Sequence, residues 1–309
     1  MDPVADVFTA LQAENVLYGR LDASAPWGIG FPAGHASFGM VVRGHCWLAV
    51  DGIEKPVSLA GGDCFLLPRG VAYSLRDEEQ SALMSLDEVV ACKSSVGRST
   101  HVQFGGGGRT TSMISGCFQF DPAASQSMIE LLPAFIHIRA DDPQSAALQT
   151  TIRLLAGEIA EDAAGSQIVV NRLVDVFFLQ AIRFHMSQHA GCTSSWLRAV
   201  ADPQVGKVLR VMHEEIDHPW TVEELARRGG MSRAAFALRF KQLVGEAPLE
   251  YLTRWRMYKA SRLLRDPERK ILQIANSVGY DSDGAFNRAF KRVLGVPPGE
   301  YRRSAAPSL

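Results

Sequence analysis

The sequence predicts an α+β chain of two domains: a β-rich N-terminal half that carries amphipathic helices, and an all-α C-terminal domain containing one helix-turn-helix unit twice. Three observations lead there. The first is an internal repeat. Displaced by fifty positions, Ser232 falls on Ser282, Ala235 on Ala285, Phe236 on Phe286, Phe240 on Phe290, Lys241 on Lys291, Gly245 on Gly295, Pro248 on Pro298, Glu250 on Glu300 and Tyr251 on Tyr301. The second is a division of charge: residues 203–303 hold 19 Lys and Arg against 12 Asp and Glu, leaving 13 against 21 in residues 1–202. A net charge of −1 thus hides two halves of opposite sign. The third is texture, because residues 27–121 are short apolar or alternating runs cut by glycine and proline, the pattern of a small barrel or sandwich.

Taken in order, the first six residues carry two aspartates and no basic group, unlike a signal peptide, and no apolar run reaches the length of a membrane span. A cytoplasmic protein with no membrane partner is expected. With 309 residues, 47% of them hydrophobic, each domain can have a real core. Five cysteines, Cys46, Cys64, Cys92, Cys117 and Cys192, are an odd number without zinc spacing and read as small buried residues of a reducing compartment. Strands are expected over 38–43, 45–50, 64–67, 71–75, 82–90 and 110–120. Glycines 105–108 have no lysine or helix signature behind them and read as a flexible loop, not a phosphate cradle.

The run GDCFLLPRGVAYSLRD resembles the second cupin signature, with Gly62, Pro68, Gly70 and Tyr73 at its marked positions. The resemblance implies a cupin β-barrel. In metal-bearing cupins the first motif supplies two histidines and an acid, and the second one histidine. With Gly52 closing the first motif, Gly39, Val41 and His45 occupy its ligand positions here and Tyr73 the fourth. A single imidazole holds a divalent metal poorly, so no metal, no cofactor and no catalytic residue are expected, and a cupin enzyme is the disfavoured alternative. What remains is an interior for a small organic effector. Side chains alternate along a strand, so His45 and Trp47 share a face, and Tyr73 points inward by its motif position. The alternative is that Trp47 and Tyr73 only pack.

Two amphipathic helices follow, one with Leu148, Ile152, Leu155 and Ile159 at helical spacing, the other with Leu173, Val176, Phe177, Ala181 and Phe184. They can cover one side of the barrel. Residues 188–195 read as a connection, with a short docking helix over 196–200 before Asp202-Pro203, so the divisions expected are 1–187, 188–203 and 204–303.

In each copy of the repeat a helix, a glycine turn and a second helix follow one another. Thr221 and Glu224 make a T-x-x-E capping box ahead of Val222, Leu225 and Ala226, Gly230 turns the chain, and Ser232 caps a helix with Phe236, Phe240 and Leu243 as its buried stripe. The second copy has Ile271, Ile274 and Ala275, then Gly279, then Phe286, Phe290 and Val293; its upstream offset of forty-nine puts one extra residue in one of the turns. Left off the stripes are Arg233, Ala234, Ala237, Leu238 and Lys241 in one helix, and Asp283, Gly284, Asn287, Arg288 and Lys291 in the other. Asn and Arg suit the edges of adenine and guanine, and Lys suits phosphate.

Residues 220–302, with I-A-x-x-x-G-Y, F-x-x-x-F-K and G-x-x-P-x-x-Y-R, resemble the DNA-binding domain of the AraC/XylS family of transcription regulators. The resemblance implies a long linker helix, here from Pro248 to Leu264, holding two recognition helices in successive major grooves on one face of the duplex. A cupin barrel is the usual sensor domain of that family, and its following helices also form a dimer contact. The expectation is a sequence-specific DNA-binding regulator. Its partners would be a double-stranded operator, a small-molecule effector, a second copy of itself and, as a further candidate, RNA polymerase. The alternative to an organic effector is an oxidative signal read by a cysteine, with Cys117 on an expected strand.

Overall fold

The structure is a computed structural model that describes residues 14–91, 93–95, 100–119, 129, 132–161, 163–188 and 195–305, and they fall into two compact units. Cys92, Cys192, the first six residues, residue 120 and most of the expected connection lie outside the described residues.

In the first unit the strands are β1 (Glu14–Ser24), β2 (Gly28–Phe31), β3 (Ala36–Arg43), β4 (His45–Val50), β5 (Val57–Ala60), β6 (Cys64–Leu67), β7 (Tyr73–Arg76), β8 (Met84–Ser85), β9 (Lys93–Ser95), β10 (Thr100–Gly105), β11 (Thr110–Gln119) and β12 (Ile136–Ile138). They form a seven-stranded sheet, β12-β6-β3-β11-β1-β10-β9, and a five-stranded sheet, β5-β4-β7-β2-β8. Leu21, Val41, Leu48, Phe65, Leu75 and Met113 belong to one apolar cluster between them. This interior is filled with side chains. The five-stranded sheet shows water one face, so β4 alternates, with Cys46, Leu48 and Val50 buried and His45, Trp47 and Ala49 outside. The larger sheet is covered on both faces, and residues 36–41 of β3 are therefore buried without a break.

The cover comes from α2 (Ala146–Glu161) and α3 (Ser166–Gln188), which follow a short α1 (Leu86–Ala91). Phe177 meets Phe38 at 5.8 Å and Phe178 meets Phe118 edge-on at 5.5 Å. Leu148, Ile152, Leu155 and Ile159 are buried as expected. On α3 the expected Phe177, Ala181 and Phe184 are buried, but Leu173 is half-buried and Val176 is 45% exposed, and Val174, Phe178 and Ile182 complete the stripe instead.

Two further expectations need correction. Residues 82–90 are not one strand, because Ser85 and Glu88 form a reciprocal cap that starts α1: the Ser85 N–H donates to the Glu88 carboxylate at 2.7 Å and the Glu88 N–H to Ser85 Oγ at 3.3 Å. The glycine loop is tied rather than flexible. The Gly106 and Gly108 N–H groups donate to the carbonyls of Ser24 and Ala25 at 2.8 Å each, and the Gly107 N–H to Ser24 Oγ at 2.9 Å, so these donors are already used.

The second unit is all helix: α4 (Ser195–Ala201), α5 (Val205–Glu214), α6 (Val222–Arg228), α7 (Arg233–Val244), α8 (Pro248–Leu263), α9 (Ile271–Ser277), α10 (Asp283–Leu294) and α11 (Pro298–Ala305). The repeat is visible in its caps. Ser232 Oγ accepts the Ala235 N–H and Ser282 Oγ the Ala285 N–H, both at 3.3 Å, and each helix ends at a left-handed glycine, Gly245 or Gly295. Phe236, Phe240, Phe286 and Phe290 are wholly buried, while Leu243 and Val293 are half-buried and Val244 closes the first stripe instead.

The helix α4, expected within the connection, is part of this core. Trp196 is wholly buried and its Nε1–H donates to Tyr251 Oη at 3.1 Å; His213 Nε2 lies 2.8 Å from the same hydroxyl, with its ring stacked on Trp255 at 4.1 Å. Asp202 then joins three helices. Its carboxylate accepts the N–H groups of Gln204 and Val205 at the start of α5 and receives Arg239 of α7 at 2.6 Å. Burial opposes that charge, but the Val205 N–H and Arg239 outweigh it and hold the pKa below the ordinary value. A carboxylate lowered in the fold stabilises fully above the ordinary range and loses its contribution as pH falls through the folded pKa. Asp202→Asn should cost about 1.5–3 kcal/mol near neutrality. In urea melts, the gap between variant and parent should narrow as the pH drops below 3.8, the ordinary value for this group.

Candidate functional site

The two second helices of the repeat, α7 and α10, turn matching faces to solvent. Arg233, Ala234, Leu238 and Lys241 are exposed and Ala237 half-buried on α7; Asp283, Gly284, Asn287, Arg288 and Lys291 are all exposed on α10. The faces differ in chemistry. On α7, Arg233 is engaged by Glu223 at 2.8 Å, leaving methyl groups and Lys241. On α10, Arg288 and Lys291 stand beside Arg292, an exposed cation not singled out in the sequence. Asn287 donates back to the Asp283 carbonyl at 2.9 Å, a bond it would exchange to reach a base edge.

The turns ahead of these helices differ by the expected residue. The Met231 N–H closes on the Ala226 carbonyl and the Tyr280 N–H on the Ala275 carbonyl, so the chain reverses alike; from there the capping serine is the next residue after Met231 but the second after Tyr280, with Asp281 inserted. The first cap is half of the expected box. Thr221 accepts the Glu224 N–H at 3.2 Å, but the Glu224 carboxylate is turned to His218 at 3.2 Å.

What holds the two helix-turn-helix copies together was not legible beforehand. Arg256, on the linker helix α8, donates from Nε to the Ile216 carbonyl at 2.8 Å and from an Nη to the His218 carbonyl at 2.6 Å, and lies over the Tyr280 ring at 5.8 Å. It thereby ties the segment before α6 to the turn between α9 and α10. Burial draws its pKa down while Tyr280 and Asp217 favour the charge. Gly279 sits in the same seam: at φ 79° a Cβ there would lie 2.6 Å from the Asp217 carbonyl and 2.7 Å from the Arg256 guanidinium, so only glycine fits.

In the barrel, the residues expected to surround an effector do not converge. Tyr73 is buried inward, stacked on Phe31 at 4.4 Å, and burial raises its pKa. His45 and Trp47 share a face, as parity requires, but it is the outer one, where His45 Nε2 lies 2.8 Å from Ser58 Oγ. The more apolar alternate set, Cys46, Leu48 and Val50, was the signal that could have told which face is inside. The cupin ligand positions do not fit a metal: Val41 is in the core, a Cβ at Gly39 would meet the Phe65 ring, and His45 faces outward. Among the described residues no group of three or more His, Cys, Asp or Glu could hold an ion.

The described cysteines suit a thiolate poorly. Burial pushes the Cys46 thiol up to about 12 and raises Cys64 and Cys117 as well. A cleft of this unit lies across the outside of the small sheet. It measures about 740 Å³ and includes Ala49, Ser74, Gly30 and Ser85, a row of small residues that neighbour one another across four strands. Phe31, Tyr73 and Leu83 supply apolar wall, and Asp51 and Asp87 supply carboxylates.

The Arg256 seam predicts a measurable coupling. Arg256→Gln should lower stability by about 3 kcal/mol, since it gives up two bonds from a charged donor, each contributing on the order of 1.5–3 kcal/mol. It should also let full-length protein accept a base pair added to or removed from the middle of its operator, which the parent should reject in gel shifts.

Comparison with known proteins places the chain. A cupin family model matches residues 2–187 and a helix-turn-helix domain model residues 225–304. A protein of Streptomyces lividans described as an AraC-like transcription regulator is 37% identical over 98% of each chain, and one of Streptomyces antibioticus with the same description is 37% identical over 99% of this chain and all of the other. Among solved structures, the DNA-binding domain of the global transcriptional factor AdpA in complex with target DNA is 36% identical over 33% of this chain and 92% of that one, with a TM-score of 0.32. No helix among the described residues is long and apolar enough to cross a membrane. With near-complete mutual coverage by regulators, a helix-turn-helix match over the repeat and a cupin match before it, the chain belongs to the AraC-like family of DNA-binding transcription regulators.

Proposed function

We propose that this regulator reads its operator with α7 and α10 together, as a cytoplasmic homodimer whose barrel binds a small organic effector. The observation that carries the reading is the duplicated unit, which exposes equivalent positions of both helices on a domain with a positive charge balance. Arg288 and Asn287 supply base recognition in the second unit, and Lys241 and Lys291 supply phosphate contacts. Arg288→Ala should cost about 1–3 kcal/mol of operator affinity and relax one or two base pairs, whereas Lys291→Ala should weaken every sequence alike and shallow the salt dependence by about one unit. Operators selected from random duplexes provide the test; unchanged affinity and selectivity in Arg288→Ala would refute this placement of α10.

A second copy is the occupant we assign to the outer face of α2 and α3, where Leu154, Ile168, Val169 and Val176 are 58, 69, 43 and 45% exposed. Exposed apolar side chains grouped on one helix pair favour self-association, and a dimer gains effective concentration at a second site. RNA polymerase is a further partner in this reading. Ile168→Glu with Val176→Glu should give a monomer by sedimentation, with operator affinity reduced and single-site binding kept.

For the effector we assign the cleft beside Tyr73 and not the packed interior. Its hydroxyls, carboxylates and apolar walls suit a neutral or cationic organic molecule better than an anion. Binding there would shift the balance between operator-bound geometries through differential affinity. Ala49→Trp should fill the cleft. In a thermal-shift panel of neutral aromatics and organic amines, compounds that stabilise the parent should leave this variant unmoved, while its binding to DNA persists.

A further inference from the structure

We propose that the first reading helix recognises thymine, by contact of Leu238 with the C5-methyl group in the major groove. The proposal deepens the operator reading above and rests on α7 lying in that groove. The repeat supplies its register: at the offset of fifty, Leu238 stands where the second unit has Arg288, and Ala237 where it has Asn287. The two helices are capped and terminated alike, so a position that brings Arg288 to a base edge brings Leu238 there too.

Leu238 is not among the buried residues of its helix, Phe236, Phe240 and Val244. Leu238 is 62% exposed, more than Leu249 at 40% or Leu272 at 47%, the other large exposed hydrophobics described in this unit. Ala234, one helical turn before it, is exposed and Ala237 half-buried, so the three present a methyl-bearing patch. The nearby cations are committed elsewhere, Arg233 to Glu223 at 2.8 Å and Arg239 to Asp202 at 2.6 Å. The three side chains of the patch carry no hydrogen-bond donor, and the exposed Lys241 one turn on is the phosphate contact of the reading above. Of the four bases only thymine presents an apolar group in the major groove, its C5-methyl, and apolar side chains are what recognise it. The two units thus read by different chemistry, one by methyl contact and one through polar side chains.

The test uses the full-length protein and an operator selected from random duplexes, with each thymine replaced in turn by uracil, which removes only the methyl. At one or two positions the replacement should weaken the parent by about fourfold, the factor that burial of one methyl-sized group gives. Leu238→Ala, an exposed change whose folding circular dichroism verifies, should bind thymine and uracil equally there, while Leu238→Met should keep the difference. Leu238→Gln should move the preferred base from thymine to adenine, which glutamine can pair bidentately. If no uracil weakens the parent, or if Leu238→Ala feels every uracil as the parent does, the proposal is wrong. Lys241→Ala separates the two levels. If it weakens binding while uracil is silent, only the thymine assignment fails; if it too has no effect, the placement of α7 in the groove fails with it.

Discussion

The second unit depends on the seam that Arg256 makes across the linker helix. Two helix-turn-helix units joined by one long helix would be free to pivot if only that helix connected them. Arg256 removes the freedom by binding the Ile216 and His218 carbonyls on one side and the Tyr280 ring on the other. Such bonds from a half-buried guanidinium are stiff, because breaking them leaves carbonyls and a charge without partners in a poorly solvated place. Gly279 lets the backbones approach closely enough for the clamp to reach. The duplicated sequence therefore yields one tied body, and the distance between α7 and α10 becomes a property of the fold.

The first unit is governed by a different constraint, the filling of its interior. Two sheets close over a cluster that includes Trp27, Phe65, Tyr73 and Met113. On the outer surface of the smaller sheet, the row of small residues across β4, β7, β2 and β8 leaves a cleft. Tyr73 belongs to both places. It packs inward against Phe31 and Phe65 and also borders the cleft.

Much of the helical half was legible in the sequence because its signals are local. Ser232 and Ser282, Gly245 and Gly295, and the paired phenylalanines mark starts, stops and buried faces within a dozen residues. Periodicity also separated the exposed positions of α7 and α10 from the buried ones. The seam was not legible, since Arg256 reads as one more cation on a charged helix and its partners are backbone atoms 38 and 40 residues away. Asp202 was hidden in the same way, its role being set by Arg239 across the unit. In the barrel, β1 was missed because in residues 18–24 only Leu21 and Ala23 mark a buried alternation, and the placing of His45 and Trp47 failed on the choice of face alone.

The central claim is that α7 and α10 form one rigid reader of a single face of the duplex. Hydroxyl-radical footprinting of the full-length protein on its selected operator tests it most directly. The account predicts two protected blocks on the same face of the helix for each protein copy, with centres about one helical turn, roughly 10 base pairs, apart. A single protected block per copy, or two on opposite faces, would contradict it.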